Sequence, residues 1–131
     1  MLKTQNNFYF VYEYCNGGTL EGLLRKEHTL EEKKALLILK QLLEAFQVLN
    51  KYNIMHRDLK PDNIFFHNGV LKVGDFGFCK SLEKAEMTKT MLGSPIYMAP
   101  EILNGQIYSN KADIWSIGVV LYEMLYGYCP F

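Results

Sequence analysis

Residues 56–63 read His56-Arg57-Asp58-Leu59-Lys60-Pro61-Asp62-Asn63, and Asp75-Phe76-Gly77 follows a short distance downstream. The two stretches place a carboxylate, an ammonium, a carboxamide and a second carboxylate on two loops at fixed separation. Phosphoryl transfer from a nucleotide uses such a set. One group orients the attacking hydroxyl, a cation neutralises the moving phosphoryl, and hard oxygens hold magnesium. Asp58 is the candidate catalytic base, or at least the group that orients the hydroxyl. Lys60 can reach the transferring phosphate, where a positive charge is worth most. Asn63 and Asp75 supply oxygen ligands suited to Mg²⁺, which keeps waters and shares its shell with phosphates.

These groups need elements to hold them. Ile64-Phe65-Phe66 and Val70-Leu71-Lys72-Val73 flank His67-Asn68-Gly69, and Asn68-Gly69 predicts a tight hairpin because both residues tolerate positive φ. The catalytic segment and the Asp75 loop then sit at either end of one hairpin, pinned near each other. Upstream, Asn7 to Tyr14 is aromatic and β-branched and predicts a strand, which Asn16-Gly17-Gly18 breaks. Thr29-Leu30-Glu31-Glu32 has the spacing of a capping box. The helix it would open carries apolar residues at 35, 36, 39, 42, 43, 46 and 49, the stripe of a 3.6-residue period, and Tyr52-Asn53 ends it. Residues 78 to 98 lack periodicity and read as a mobile loop. Ser109 or Asn110 caps a last helix over about Lys111 to Tyr126.

Composition narrows the class. The 131 residues carry 14 Lys plus Arg and 14 Asp plus Glu, so no net charge argues for nucleic acid or a membrane surface. Three separated cysteines, Cys15, Cys79 and Cys129, read as free thiols in a reducing, cytoplasmic setting. His28 and His67 are expected at the surface, with no metal cluster around them. Residues Ile114 to Phe131 are apolar and nearly long enough to span a bilayer. Ser116, Glu123 and the break from Gly127 to Pro130 favour a buried helix instead, and no transmembrane segment is expected.

With Ala99-Pro100-Glu101 downstream, the motifs resemble, in type and in order, the eukaryotic protein kinases. The lysine of Asp58-Leu59-Lys60-Pro61-Asp62-Asn63 resembles the serine/threonine rather than the tyrosine group. That resemblance implies transfer of the γ-phosphoryl of ATP, with Mg²⁺, to serine or threonine of a protein substrate. It implies an α+β fold, mostly helical: the central part of a kinase large lobe with one small-lobe strand. Phe10 to Gly18 resembles the strand and hinge that read adenine. The Glu13 carbonyl and Cys15 backbone would bond the base, Tyr12 would be the gatekeeper, and Phe65 the floor under the ring.

The stretch from Asp75 to Glu101 resembles an activation segment. Arg57 and Lys80 would form a cationic pocket for a phosphate on Thr90, with Thr88 a competing site. Ser94, in Gly93-Ser94-Pro95, resembles a substrate-docking loop, its hydroxyl bonding Asp58 and Lys60. The aspartate matching Asp113 accepts bonds from the catalytic-loop backbone in kinases; as an acid in a first helical turn it could merely complement the helix dipole. Asp62 reads as solvated, although in some kinases an acid here favours basic substrates. A large residue after Asp-Phe-Gly, here Phe78, accompanies serine preference. Tyr14 to Gly18, Asp75 to Phe78 and Gly93 to Glu101 are most similar to the ULK-type, autophagy-initiating kinases.

The resemblance covers the middle of a kinase domain. It divides the chain into residues 1–15, the last small-lobe strand and hinge, and residues 16–131, a large-lobe portion. No glycine-rich loop or small-lobe lysine precedes Phe8, and the chain stops at Pro130-Phe131. These gaps predict an incomplete domain, with a non-catalytic fragment that acts only as a binding module as the alternative.

Overall fold

A computed structural model describes residues 1–81 and 93–131 of the chain. Its strands are short: β1 (Leu2–Lys3), β2 (Phe8–Tyr9), β3 (Ile54–Met55), β4 (Ile64–His67), β5 (Val70–Val73) and β6 (Lys80–Ser81). They pair antiparallel as β1–β2, β3–β6 and β4–β5. The helices are α1 (Leu20–Glu27), α2 (Glu32–Lys51), α3 (Pro100–Leu103) and α4 (Lys111–Tyr126). The architecture is α+β and mainly helical.

The main core lies where α1, α2, the β4–β5 hairpin and α4 meet. Leu20, Leu42, Ile64, Val120 and Met124 are fully buried there. Burying such a side chain contributes roughly 1.5–3 kcal/mol each. A smaller core of Met55, Met98, Ala99, Ile102, Tyr108 and Ala112 underlies α3 and the start of α4.

Helix α1 has no counterpart in the sequence reading. The Thr19 hydroxyl accepts the Gly22 N–H at 3.1 Å, capping the first turn, and Leu20 and Leu24 face the core. Glu21 stands in the first turn and Arg25 and Lys26 in the last, the order that the helix dipole favours. The capping box expected at Thr29 and Glu32 does not form. Helix α2 starts after Glu31 with no side-chain cap. The Thr29 N–H, which the Glu32 carboxylate would have taken, is spent on the Glu27 carbonyl at 2.8 Å, and the next N–H, of Leu30, on the Met124 carbonyl of α4 at 2.7 Å. The buried stripe of α2 is Ala35, Ile38, Leu42 and Phe46, whereas Leu36 and Leu43 point outward. The expected stripe is therefore turned slightly from the observed one.

The Asn68-Gly69 hairpin forms in the expected register, Ile64 opposite Val73 and His67 opposite Val70. Both functional loops therefore leave from its open end. The strand expected over residues 7–14 is confined to Phe8–Tyr9; no described strand lies beside residues 10–14 to complete a ladder. The expected loop over 78–98 is structured at both ends, as β6 beside β3 and as a 3-10 turn over Pro95–Tyr97. Helix α4 runs Lys111–Tyr126, and the Ser109 hydroxyl accepts the Lys111 N–H at 3.4 Å. No described helix is long and apolar enough to cross a membrane. His67 is half-buried rather than at the surface, its Nε2 paired with Asn68 Nδ2.

Candidate active site

Asp58 sits on the loop between β3 and a 3-10 turn over Pro61–Asn63, and it is 5 % exposed. Its carboxylate is a meeting point. Oδ1 accepts the Ser94 N–H at 2.8 Å and the Ser94 hydroxyl at 2.9 Å. Oδ2 accepts Asn63 Nδ2 at 3.2 Å and lies 3.4 Å from Lys60 Nζ. Lys60 Nζ also donates to Ser94 Oγ at 2.9 Å. The structure thus brings Asp58, Lys60, Asn63 and Ser94 into one hydrogen-bonded group. Charge-assisted bonds of this kind are short and roughly twice as strong as neutral ones.

The loop is shaped from behind by α4. Asp113, 4 % exposed, accepts the His56 N–H on Oδ2 at 2.9 Å and the Arg57 N–H on Oδ1 at 3.0 Å. Burial pushes the Asp113 carboxyl above the usual carboxylate range, while the bonds from Arg57 and His56 pull it back. Asp113 therefore holds the loop and is more than a partner for the helix dipole. Arg57 is left-handed, with φ of 69°, a conformation costly for a residue with a Cβ. His56 is wholly buried, and its Nε2 meets the Gly74 carbonyl at 2.9 Å, linking this loop to the one before Asp75. The sequence reading gave His56 no such role; its place beside the Asp58 stretch was the only signal.

Gly93 closes the other side. Its φ is 111°, and a Cβ there would lie 2.3 Å from the Arg57 carbonyl oxygen. Only glycine fits. Beyond it, the Tyr97 hydroxyl donates to Glu123 Oε2 at 2.9 Å and the Ser116 hydroxyl donates to the Tyr97 carbonyl at 2.8 Å. Both bonds seat the segment after Ser94 on α4. Burial and the Glu123 bond push the Tyr97 hydroxyl well above the usual phenol range. Burial likewise raises the Glu123 carboxyl, the Tyr97 bond opposing it.

Asp75 is exposed and left-handed (φ 57°), and its carboxylate accepts the Gly77 N–H at 3.4 Å. The Gly74 N–H donates to the Asn63 carbonyl at 2.9 Å, so the two oxygen-bearing side chains stand on adjoining backbone. With Tyr12, Glu13, Cys15, Phe65, Lys72 and Val73, Asp75 lines a cleft of about 740 Å³. The Glu13 side chain pairs with Lys72 at 3.3 Å. The Arg57 guanidinium donates through Nε to the Phe78 carbonyl, and Lys80 pairs with Met55 across β3 and β6. Thr88 and Thr90 lie outside the described residues. Asp62 is exposed.

Residues 1–131, the whole chain, match the protein kinase domain family. The chain belongs to the protein kinase family. It is 43 % identical to the human serine/threonine-protein kinase ULK1 over 96 % of its own length and 13 % of that protein's. It is 45 % identical to serine/threonine-protein kinase atg1 of Dictyostelium discoideum, over 91 % of this chain and 18 % of the relative. Against serine/threonine-protein kinase ATG1a of Arabidopsis thaliana the identity is 41 %, over 99 % and 21 %. This kinase chain is therefore of the ULK type and spans about a fifth or less of these relatives' length.

Kinase chemistry requires a nucleotide and magnesium, and the residues fit both. Asn63 Nδ2 donates to the Asp58 carbonyl and carboxylate, and no described hydrogen bond engages Asn63 Oδ1. Asp75 keeps an exposed carboxylate at the wall of the cleft. Two such oxygen donors, with water and phosphate oxygens completing the shell, suit Mg²⁺.

Proposed function

We propose that this protein transfers the γ-phosphoryl group of ATP to serine or threonine of a protein substrate. The observation that carries the reading is the convergence of Lys60, Asn63 and Ser94 on the buried Asp58 carboxylate. In this reading Asp58 takes the hydrogen bond of the substrate hydroxyl and aims its oxygen at the γ-phosphorus. As the new P–O bond forms and the bond to the bridging oxygen breaks, the hydroxyl proton passes to Asp58. Lys60 balances the charge on the moving group. Asn63 and Asp75 hold magnesium, which when bound supplies positive charge to the phosphate oxygens.

The hinge backbone at Glu13 and Cys15 takes the adenine over Phe65, and Ser94 lies where the acceptor docks. Residues 1–15 act as the last small-lobe strand and hinge, and residues 16–131 as large lobe. Arg57 and Lys80 answer a phosphate on Thr90, and the protein works in the cytoplasm.

The test is Asp58→Asn in the complete protein, with radiolabelled ATP and a protein acceptor. Turnover is expected to fall at least a hundredfold with nucleotide affinity nearly unchanged. Near-normal turnover would remove Asp58 from this role.

A further inference from the structure

The cleft has two walls from distant parts of the chain. Glu13 and Cys15 come from the segment before α1; Phe65, Lys72 and Asp75 come from the hairpin and its exit. Their spacing decides whether a planar base fits between them. Two exposed side chains that do not line the cleft join the walls. Asn16 Nδ2 donates to Asn68 Oδ1 at 2.7 Å, and the Asn68 backbone N–H donates to Asn16 Oδ1 at 3.0 Å.

The neighbouring contacts show that this is the seam between the walls. The Gly17 N–H donates to the Phe66 carbonyl at 2.8 Å, and the Phe66 N–H to the Gly18 carbonyl at 2.9 Å. A Cβ on Gly17 would lie 2.8 Å from the Phe66 carbonyl oxygen, so backbone rests directly on backbone. Lys72 and Glu13 also cross between the walls, but their side chains are 43 % and 59 % exposed, and such pairs are worth little. The amide pair is exposed as well, but it is neutral, so salt does not screen it, and its two bonds fix a direction. It also ties the hinge to Asn68, whose φ of 51° is fixed by the hairpin turn.

We propose that Asn16 and Asn68 are positioning residues that lock the hinge segment against the hairpin and thereby set nucleotide affinity. The proposal rests on the kinase reading above and deepens it. Without the pair, the hinge backbone keeps more freedom before the nucleotide arrives, and nucleotide binding has to order it. That cost falls on binding and leaves the transfer step, built around Asp58, unchanged.

The experiment uses the complete protein with Asn16→Ala, Asn68→Gly, both together, and Asn68→Asp. Glycine at position 68 keeps the positive φ while removing the side chain. Aspartate keeps an oxygen for Asn16 Nδ2. Lys34→Ala, which breaks the exposed pair with Glu27 elsewhere on the surface, is the control. Each variant is measured for Kd of a fluorescent ATP analogue, KM for ATP, KM for the protein acceptor, kcat and melting temperature.

The expected result is a rise of about two- to fivefold in Kd and in KM for ATP for Asn16→Ala, and a smaller rise for Asn68→Gly, whose backbone N–H still reaches Asn16 Oδ1. The double variant should be no worse than the poorer single one, with kcat and acceptor KM unchanged and Asn68→Asp close to wild type. Unchanged nucleotide constants would overturn the proposal. So would a loss in kcat and both KM values that tracks melting temperature, since a general stability defect behaves that way. Wild-type protein that binds no nucleotide would instead defeat the kinase reading itself.

Discussion

Replacing Asp113 by asparagine tests how the catalytic loop is held. The carboxylate accepts two backbone N–H groups, from His56 at 2.9 Å and Arg57 at 3.0 Å, at a site 4 % exposed. An asparagine has one acceptor oxygen, so one N–H would face an NH₂ group with nowhere to turn. Leaving a buried donor without its acceptor costs about 1–3 kcal/mol. Part of that is offset, since burial already disfavours the ionised Asp113 and asparagine carries no charge. A net loss of about 1–2 kcal/mol is therefore expected. Asp113→Ala orphans both donors and should lose more. If about 1.4 kcal/mol of the loss appears at the transition state, turnover falls tenfold. The left-handed Arg57 beside Asp58 is the reason to expect it there, because released strain would move the carboxylate. The assay pairs kcat with thermal melting for wild type, Asn and Ala in the complete protein. Wild-type kcat and melting in Asp113→Asn would refute the reasoning, as would an alanine variant milder than the asparagine one.

Gly93→Ala should cost at least tenfold in kcat, because its Cβ would stand 2.3 Å from the Arg57 carbonyl; wild-type kinetics would deny that contact. Cys79, whose thiol burial and the nearby Asp113 push up to about 11, should label slowly with iodoacetamide at pH 8. It carries about 100-fold less thiolate than at the ordinary value of 9.0, so its labelling should accelerate only as pH rises toward 11; mass spectrometry of the labelled peptide measures it. Phe78 should favour serine over threonine modestly, since one methyl is worth roughly 1–3 kcal/mol. Paired peptides and Phe78→Val decide it: equal rates throughout would leave no role for the ring. The 131-residue segment expressed alone should aggregate, because Phe10, Tyr12, Ile114, Tyr128 and Phe131 are all exposed; a monodisperse monomer on size exclusion would contradict this.

What was legible in the sequence was local. Asn68-Gly69 specifies its own turn, so the hairpin and the shared exit of its two loops could be read directly. Helix α4 was also legible, between a capping Ser109 and the Gly127 stop. The Thr29 cap failed because the Glu27 carbonyl claims the Thr29 N–H, while Met124, far away in sequence, holds the next residue, Leu30. Helix α1 carried its own signal, with Thr19 before Leu20, Leu23 and Leu24, and was missed because the glycines beside it drew the reading toward a turn. The Asp58 group was recognisable from residue types; its joining to Ser94 was legible only through the family resemblance, since a hydrogen bond across 36 positions has no period to betray it. The Asn16–Asn68 pair left no mark at all, because either residue alone looks like ordinary turn chemistry.

The grip of Asp113 on His56, 57 positions earlier, has a consequence for the nascent chain. On the ribosome the catalytic loop is made well before its anchor. At about 5–20 residues per second, some 3–11 seconds separate them, in synthesis and in emergence from the exit tunnel alike. During that interval His56 and Arg57 have only water to accept their N–H groups, and nothing compels Arg57 into its left-handed turn. Synthesis thus gates competence: a ribosome-bound chain ending before residue 113 should leave the Arg57–Asp58 region open to trypsin, and extension through α4 should close it.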